Sequence, residues 1–164
     1  MTRNTISPTQ VGKIGSSSLG QVLTGSIPGA TGATNFTPAN VAPTTADGTE
    51  IWSQAITTIS SSSKVEIDFS CAFDTSNNGK ILTIAIFRGS TCIHADEVGS
   101  ITAGFVVPYS VKYVDTPGAP GSYTYSARIA VNTNSWFINS NKNSDTLGGT
   151  IPSSYSLKEI VPVS

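Results

Sequence analysis

The segment KVEIDFSCAFDT, residues 64–75, alternates one side chain at a time. Val65, Ile67, Phe69, Cys71 and Phe73 are apolar, and Lys64, Glu66, Asp68, Ser70 and Ala72 stand between them. A period of two sorts the two sets onto opposite faces of an extended strand, with one face buried. Asn77-Asn78-Gly79 follows, and Asn-Gly tolerates the positive φ of a tight hairpin turn, so a hairpin is expected here. The return run KILTIAIFR is apolar on both faces, with Leu82, Ile84 and Ile86 on one and Ile81, Ala85 and Phe87 on the other. Such a strand is covered twice, by its own core and by a neighbouring layer or subunit. Ile84 and Ile86 are therefore the expected trimer-interface residues if that cover is a second copy.

The rest of the chain agrees with strands. Only 12% of the 164 residues are charged, and Ser, Thr, Asn and Gly take the place of the Glu and Lys that wet helix faces carry. Further strands are expected near 50–58, 91–95, 105–114, 122–131, 134–139 and 153–161, separated by FRGST, DEVGSITAG, DTPGAPGS and NSNKNSDTLGG. Short strands with regular turn signals indicate an antiparallel β-sandwich. The sandwich is placed at 47–164, long enough for a sizeable core.

Residues 1–46 read differently. Phe36 is their one aromatic residue, Arg3 and Lys13 their only charges, and GSSSLG and SIPGATGATN are flexible in composition. Gly25, Gly29 and Gly32 miss the strict spacing of collagen. Ile6, Val11, Ile14, Leu19, Val22 and Leu23 are too thinly spread to make a core of their own. The segment is expected to be an extended arm lying in a groove of a partner.

Several function classes are disfavoured. Lys+Arg (9) against Asp+Glu (10) leaves no basic surplus for nucleic acid. No run is apolar enough to span a membrane, and MTRNTISPTQ has no apolar signal region, so synthesis in a cytoplasm is expected. Cys71 and Cys92 are then expected to be free thiols.

Catalytic candidates are weak. Asp115-Thr116-Pro117-Gly118 comes close to an aspartic-protease Asp-Thr-Gly, but Pro117 stands where that loop needs glycine, and Pro-Gly suits a turn. Glu66 and Asp68 share a strand face roughly 7 Å apart at about 3.3 Å per residue, and nothing marks either as a proton donor. His94 is the only histidine, with Asp96 two residues on and no nucleophile motif. It reads as a surface or satisfied histidine; it would bind a metal only if three copies met on an axis. Cys71, Cys92 and His94 do not have zinc spacing. Trp52 and Trp136 read as core or interface before they read as a sugar platform. No enzyme activity, cofactor or metal is expected.

ILTIAIFRGSTCI, VKYVDTPGAPGSYTYSARIAV and the closing SYSLKEI resemble a β-sandwich module of tailed-phage virion proteins. In that module an apolar strand ending in Phe-Arg-Gly, a strand running into Asp-Thr-Pro-Gly and a final strand containing Glu recur in this order. The resemblance covers roughly residues 35–161. It implies a jelly roll similar to the complement C1q and tumour-necrosis-factor type, assembled as a homotrimer at fibre tips or on capsid surfaces. Two functions follow from it. One is a trimeric capsid decoration or cement protein; the arm, which lies outside the resemblance, is then expected to hold it on the major capsid protein through Arg3, Ile6, Val11, Lys13, Ile14, Leu19, Val22 and Leu23. The other is a fibre-tip module recognising host surface glycan. The start at Met1, the short lead before the sandwich and the lack of heptads favour the first. The location expected is the virion.

Overall fold

The computed structural model describes residues 17–36, 41–143, 146 and 151–162. The chain is all-β: β1 (Ser17–Ser26), β2 (Ala30–Gly32), β3 (Thr49–Thr58), β4 (Lys64–Thr75), β5 (Lys80–Arg88), β6 (Thr91–Ile101), β7 (Val107–Asp115), β8 (Gly121–Val131), β9 (Trp136–Ile138) and β10 (Ser154–Pro162). Two antiparallel sheets face each other. The first is built on β4, with β7 along one edge and β10 then β9 along the other; β1 and β2 lie outside these. The second runs β3-β8-β5-β6. The chain changes sheet at six of the nine connections between named strands, in keeping with the winding of a jelly roll.

Burial follows the alternation. Val65, Ile67, Phe69 and Phe73 of β4 are fully buried and meet Leu82, Ile84, Ile86, Ile129 and Val131 from the second sheet in one core. Each expected strand over 47–164 is present. β6 runs further than expected, because DEVGSI, read as a turn, continues pairing as far as Ile101.

Three expectations are corrected. Asn77-Asn78-Gly79 turns the chain, with Gly79 at φ 69°, but closes no hairpin: β4 and β5 lie in different sheets. Their buried faces oppose each other across the core, which pairing side by side would prevent. Gly89-Ser90 makes the one tight hairpin between named strands, pairing Arg88 with Thr91.

Second, residues 17–36 are not a free arm. β1 pairs with β10 from Ser17–Pro162 to Ser26–Ser154, and β2 pairs with β9. The groove that this segment occupies belongs to its own chain. Glycines make the fit: a Cβ on Gly25 would stand 2.5 Å from the Tyr155 ring, one on Gly32 would run into the Trp136 ring, and one on Gly20 into the Glu159 carboxylate. At these glycines the large side chain comes from the partner strand, so β1 lacks a regular apolar alternation of its own.

Third, Ile84 and Ile86 are 0% exposed within a single chain. The opposite face of β5 is also covered from within, by Phe36 and Pro43, which close over Thr83, Ala85 and Ala130. A two-sided apolar strand therefore requires no second subunit, and these two isoleucines are core residues, not a trimer interface.

Candidate functional site

Asp115 closes β7 at 7% exposure. Arg88 Nη1, at the end of β5, donates to both carboxylate oxygens at 3.0 and 2.8 Å, and the Tyr125 hydroxyl donates to Oδ2 at 2.7 Å. β7 belongs to one sheet and β5 and β8 to the other, so this carboxylate bolts the sheets together. Burial, and then the Asp115 carboxylate, push the Tyr125 hydroxyl far above its usual range. Gly118 has φ 86°, as the third position of a Pro-Gly turn requires. The Asp-Thr-Pro-Gly segment is thus an anchored turn: the Asp115 carboxylate is engaged in holding the sheets.

Glu66 and Asp68 lie on the outer face of the first sheet in a lattice of opposite charges. Lys158 Nζ stands 3.0 Å and Lys112 Nζ 3.5 Å from Glu66 Oε1, and Lys112 lies 3.7 Å from Asp68. The Lys158 ammonium, seconded by Lys112, holds Glu66 below the usual carboxylate range despite partial desolvation. That is the reverse of what a general acid needs. The next rows of the same face are Thr24, Ser156, Asp68 and Lys112, then four serines in register, Ser26, Ser154, Ser70 and Ser110.

His94 and Asp96 face the seam between β6 and β7. His94 Nε2 lies 3.0 Å from Asp96 Oδ2, which also accepts from the Tyr109 hydroxyl at 2.7 Å. That hydroxyl bond, with His94, keeps Asp96 below its usual range. Polar side chains turned inward at a sheet edge discourage pairing with other strands, and these do so where the sandwich is open. Among the described residues no three His, Cys, Asp or Glu side chains gather as a metal site.

Cys71 and Cys92 are both free. Burial pushes the Cys71 thiol up to about 12 and raises Cys92 as well. In the folded protein a thiol reagent at pH 8 should label Cys92, which is partly exposed, and reach Cys71 only after denaturant is added. Equal labelling of both in the native state would contradict the buried position of Cys71 on β4.

Trp52 and Trp136 are 6% and 1% exposed. Trp52 stacks on Tyr155 with centroids 4.5 Å apart, so the tryptophans are core and form no sugar platform. Of the arm residues, Arg3, Ile6, Val11, Lys13 and Ile14 lie outside the described residues. Leu23 packs against the core, whereas Leu19 (65%) and Val22 (47%) are exposed on β1.

The structural roles of three further residues give no signal in the sequence. Glu159 is 1% exposed and accepts from Ile59 N and Ser63 Oγ, both at 2.7 Å, pinning the β3–β4 turn. Asp74 is fully buried and accepts from Gly104 N and Lys142 N. Phe105, on the β6–β7 loop, is 69% exposed.

No family model and no curated protein matches the sequence. Solved structures do match in fold. The chain in T=1 particles derived from infectious bursal virus aligns with a TM-score of 0.50 and 16% identity, over 88% of this chain and 36% of that one. The VP2 subviral particle of infectious bursal disease virus aligns at 0.49 and 14%, over 87% and 32%. The enzymatically active domain of tailspike protein 4 from bacteriophage CBA120 aligns at 0.29 and 11%, over 72% and 18%. This chain thus spans only about a third of the viral-particle proteins it resembles. At 16% identity the likeness to the first of these establishes a shared jelly-roll fold and nothing more.

Proposed function

We propose that the chain is a structural protein of a virion: a homotrimeric capsid decoration protein, without enzymatic activity, that attaches to the major capsid protein through its N-terminal residues. One observation carries this reading. β1 is a ten-residue strand, SSLGQVLTGS, that lies at the edge of its sheet without a single charge and with Leu19 and Val22 exposed. Charges and prolines are what usually protect such an edge from pairing. Residues 1–16 lead directly into it with Ile6, Val11 and Ile14 against only Arg3 and Lys13. The fold shared with chains of viral particles is in keeping with this role.

Attachment then rests on apolar burial and backbone pairing. Two cations would contribute about 0–1 kcal/mol each in solvent-exposed pairs, whereas each apolar side chain would contribute about 1.5–3 kcal/mol if fully buried. With Ile84 and Ile86 inside the core, trimer contact falls to an outer face. The first sheet's outer face is favoured, because its row of four serines leaves room for a second backbone to come close. Sedimentation at micromolar concentration should show trimers; a stable monomer would remove that part of the reading.

Deletion of residues 1–16 should leave cooperative melting intact and strip the protein from purified capsids. Binding of the full chain should persist at about 1 M salt, where the Debye length falls to ~3 Å. Release at high salt, or full occupancy by the deleted chain, would refute attachment by an apolar arm. The alternative reading, a fibre-tip module for host glycan, draws support from the other end of the sandwich.

A further inference from the structure

Phe105 stands on a loop that three hydrogen bonds tie to its neighbours, through Ala103 N, Gly104 N and the Gly104 carbonyl. Gly104 N and Lys142 N donate to the enclosed Asp74 carboxylate at 2.9 and 2.8 Å. Ala103 N donates to Asn78 Oδ1 at 2.8 Å, and Asn141 Nδ2 donates to the Gly104 carbonyl at 3.2 Å. Gly104 adopts φ 94°, a conformation that L side chains rarely take. A buried carboxylate and three loops thus hold one large aromatic ring in water. Beside it lies a groove of about 460 Å³ lined by Val98, Ile101, Thr102 and Val107.

The chemistry around the ring is uniform. Exposed amides come from Asn77, Asn78, Asn134 and Asn143. The loops are tied to one another: Ser76 N donates to the Ser135 carbonyl at 2.9 Å, and Lys80 Nζ to Thr133 Oγ1 at 2.7 Å. Across 76–80, 102–106, 132–135 and 140–143 the charged side chains are Lys80 and Lys142. Lys142 is exposed, and its Cε comes within 3.5 Å of where a Cβ on Gly104 would stand. A rigid aromatic face, neutral amides and an ammonium suit a ligand with a C–H face, many hydroxyls and a negative charge.

Position favours the same ligand. Residues 1–16 enter the sheet where Ser17 pairs with Pro162 and Ile160 with Lys64, at the start of β4. Phe105 is tethered to Asp74, ten residues along that strand, roughly 33 Å away at about 3.3 Å per residue. The end carrying Phe105 is thus distal to the point where residues 1–16 join the sheet.

We propose that this end binds a glycan containing an acidic sugar, its ring stacked on Phe105 and its carboxylate at Lys142. The proposal rests on the host-recognition reading and not on attachment by the arm, so a chain lacking residues 1–16 should lose the capsid and keep the glycan. The test is saturation-transfer NMR and titration of the full chain with an alginate tetrasaccharide, and with maltotetraose as the neutral counterpart. Alginate should bind, more weakly as salt rises, and maltotetraose at least tenfold less well. Phe105→Ala should weaken alginate binding at least tenfold with little change in melting temperature, since the ring is exposed. Lys142→Gln should weaken it about threefold or more and flatten the salt dependence. Ile59→Ala, an equally exposed apolar residue at the other end, should change nothing. No transfer to alginate at about 10 mM, equal binding of maltotetraose, or full binding by Phe105→Ala would overturn the proposal. So would a Phe105→Ala chain that changes oligomeric state while still binding alginate, because the ring would then be a protein contact.

Discussion

Replacing Asp115 by alanine should lower the melting temperature by about 6–20 °C. The carboxylate accepts both bonds from Arg88 and the one from Tyr125, and Tyr125 is 0% exposed. Removing it leaves a guanidinium and a hydroxyl without their partner at the junction of two sheets. Breaking such a buried pair from one side costs about 3–5 kcal/mol, and each kcal/mol is about 2–4 °C in a chain of this size. Tyr125→Phe removes a single hydrogen bond, so its cost should be nearer 1.5–3 kcal/mol for a bond to a charged group. Asp68→Asn, in the exposed lattice, should cost at most about 1 kcal/mol. Thermal melts of the three variants check the order. If Asp115→Ala melted with Asp68→Asn, the buried bolt would have no energetic substance and the segment would be an ordinary turn.

Asp115 also marks what a sequence of this kind reveals. The turn around it was legible, because Pro-Gly dictates local backbone geometry. Its burial was not, because Arg88 and Tyr125 lie on strands of the opposite sheet, and no spacing along the chain announces that meeting. The same division runs through the fold. β4, β7 and β8 could be read from alternation and β5 from its continuous apolar run, since each fills its own half of the core. The hairpin after β4 was misread because a turn signal says that the chain reverses and not which sheet it enters. Phe105 and Asp74 were missed for a related reason: one exposed ring and one buried carboxylate gain meaning only when loops distant in sequence converge. Ile84 and Ile86 are covered, as their sequence implies, but the cover is this chain's own core, and Phe36 and Pro43 lie over the opposite face of β5.

The N-terminal segment failed differently, and its failure yields a test. A strand is recognised by apolar residues at alternate positions. In β1 and β2 those positions hold Gly20, Gly25 and Gly32, because Glu159, Tyr155 and Trp136 reach across from the neighbouring strands. Gly32→Val should therefore be damaging out of proportion to its plain appearance. Trp136 is 1% exposed and cannot swing aside, so the added side chain must displace β2 or distort the core. Overpacking of this kind costs about 1–3 kcal/mol and sometimes more, a fall of roughly 5–10 °C here. Gly25→Val should act more locally: Tyr155 is held by the Trp52 stack, so β1 should give way and its amides from Leu19 to Ser26 should lose protection from hydrogen exchange. Gly99→Ala, where nothing lies within 4 Å of the new Cβ, should be neutral or slightly stabilising. Composition alone makes these glycines interchangeable with linker glycines, and then all three substitutions would melt alike. Only a segment folded into the sheet predicts that Gly32→Val and Gly25→Val fall away from Gly99→Ala, with the exchange of β1 amides rising in Gly25→Val.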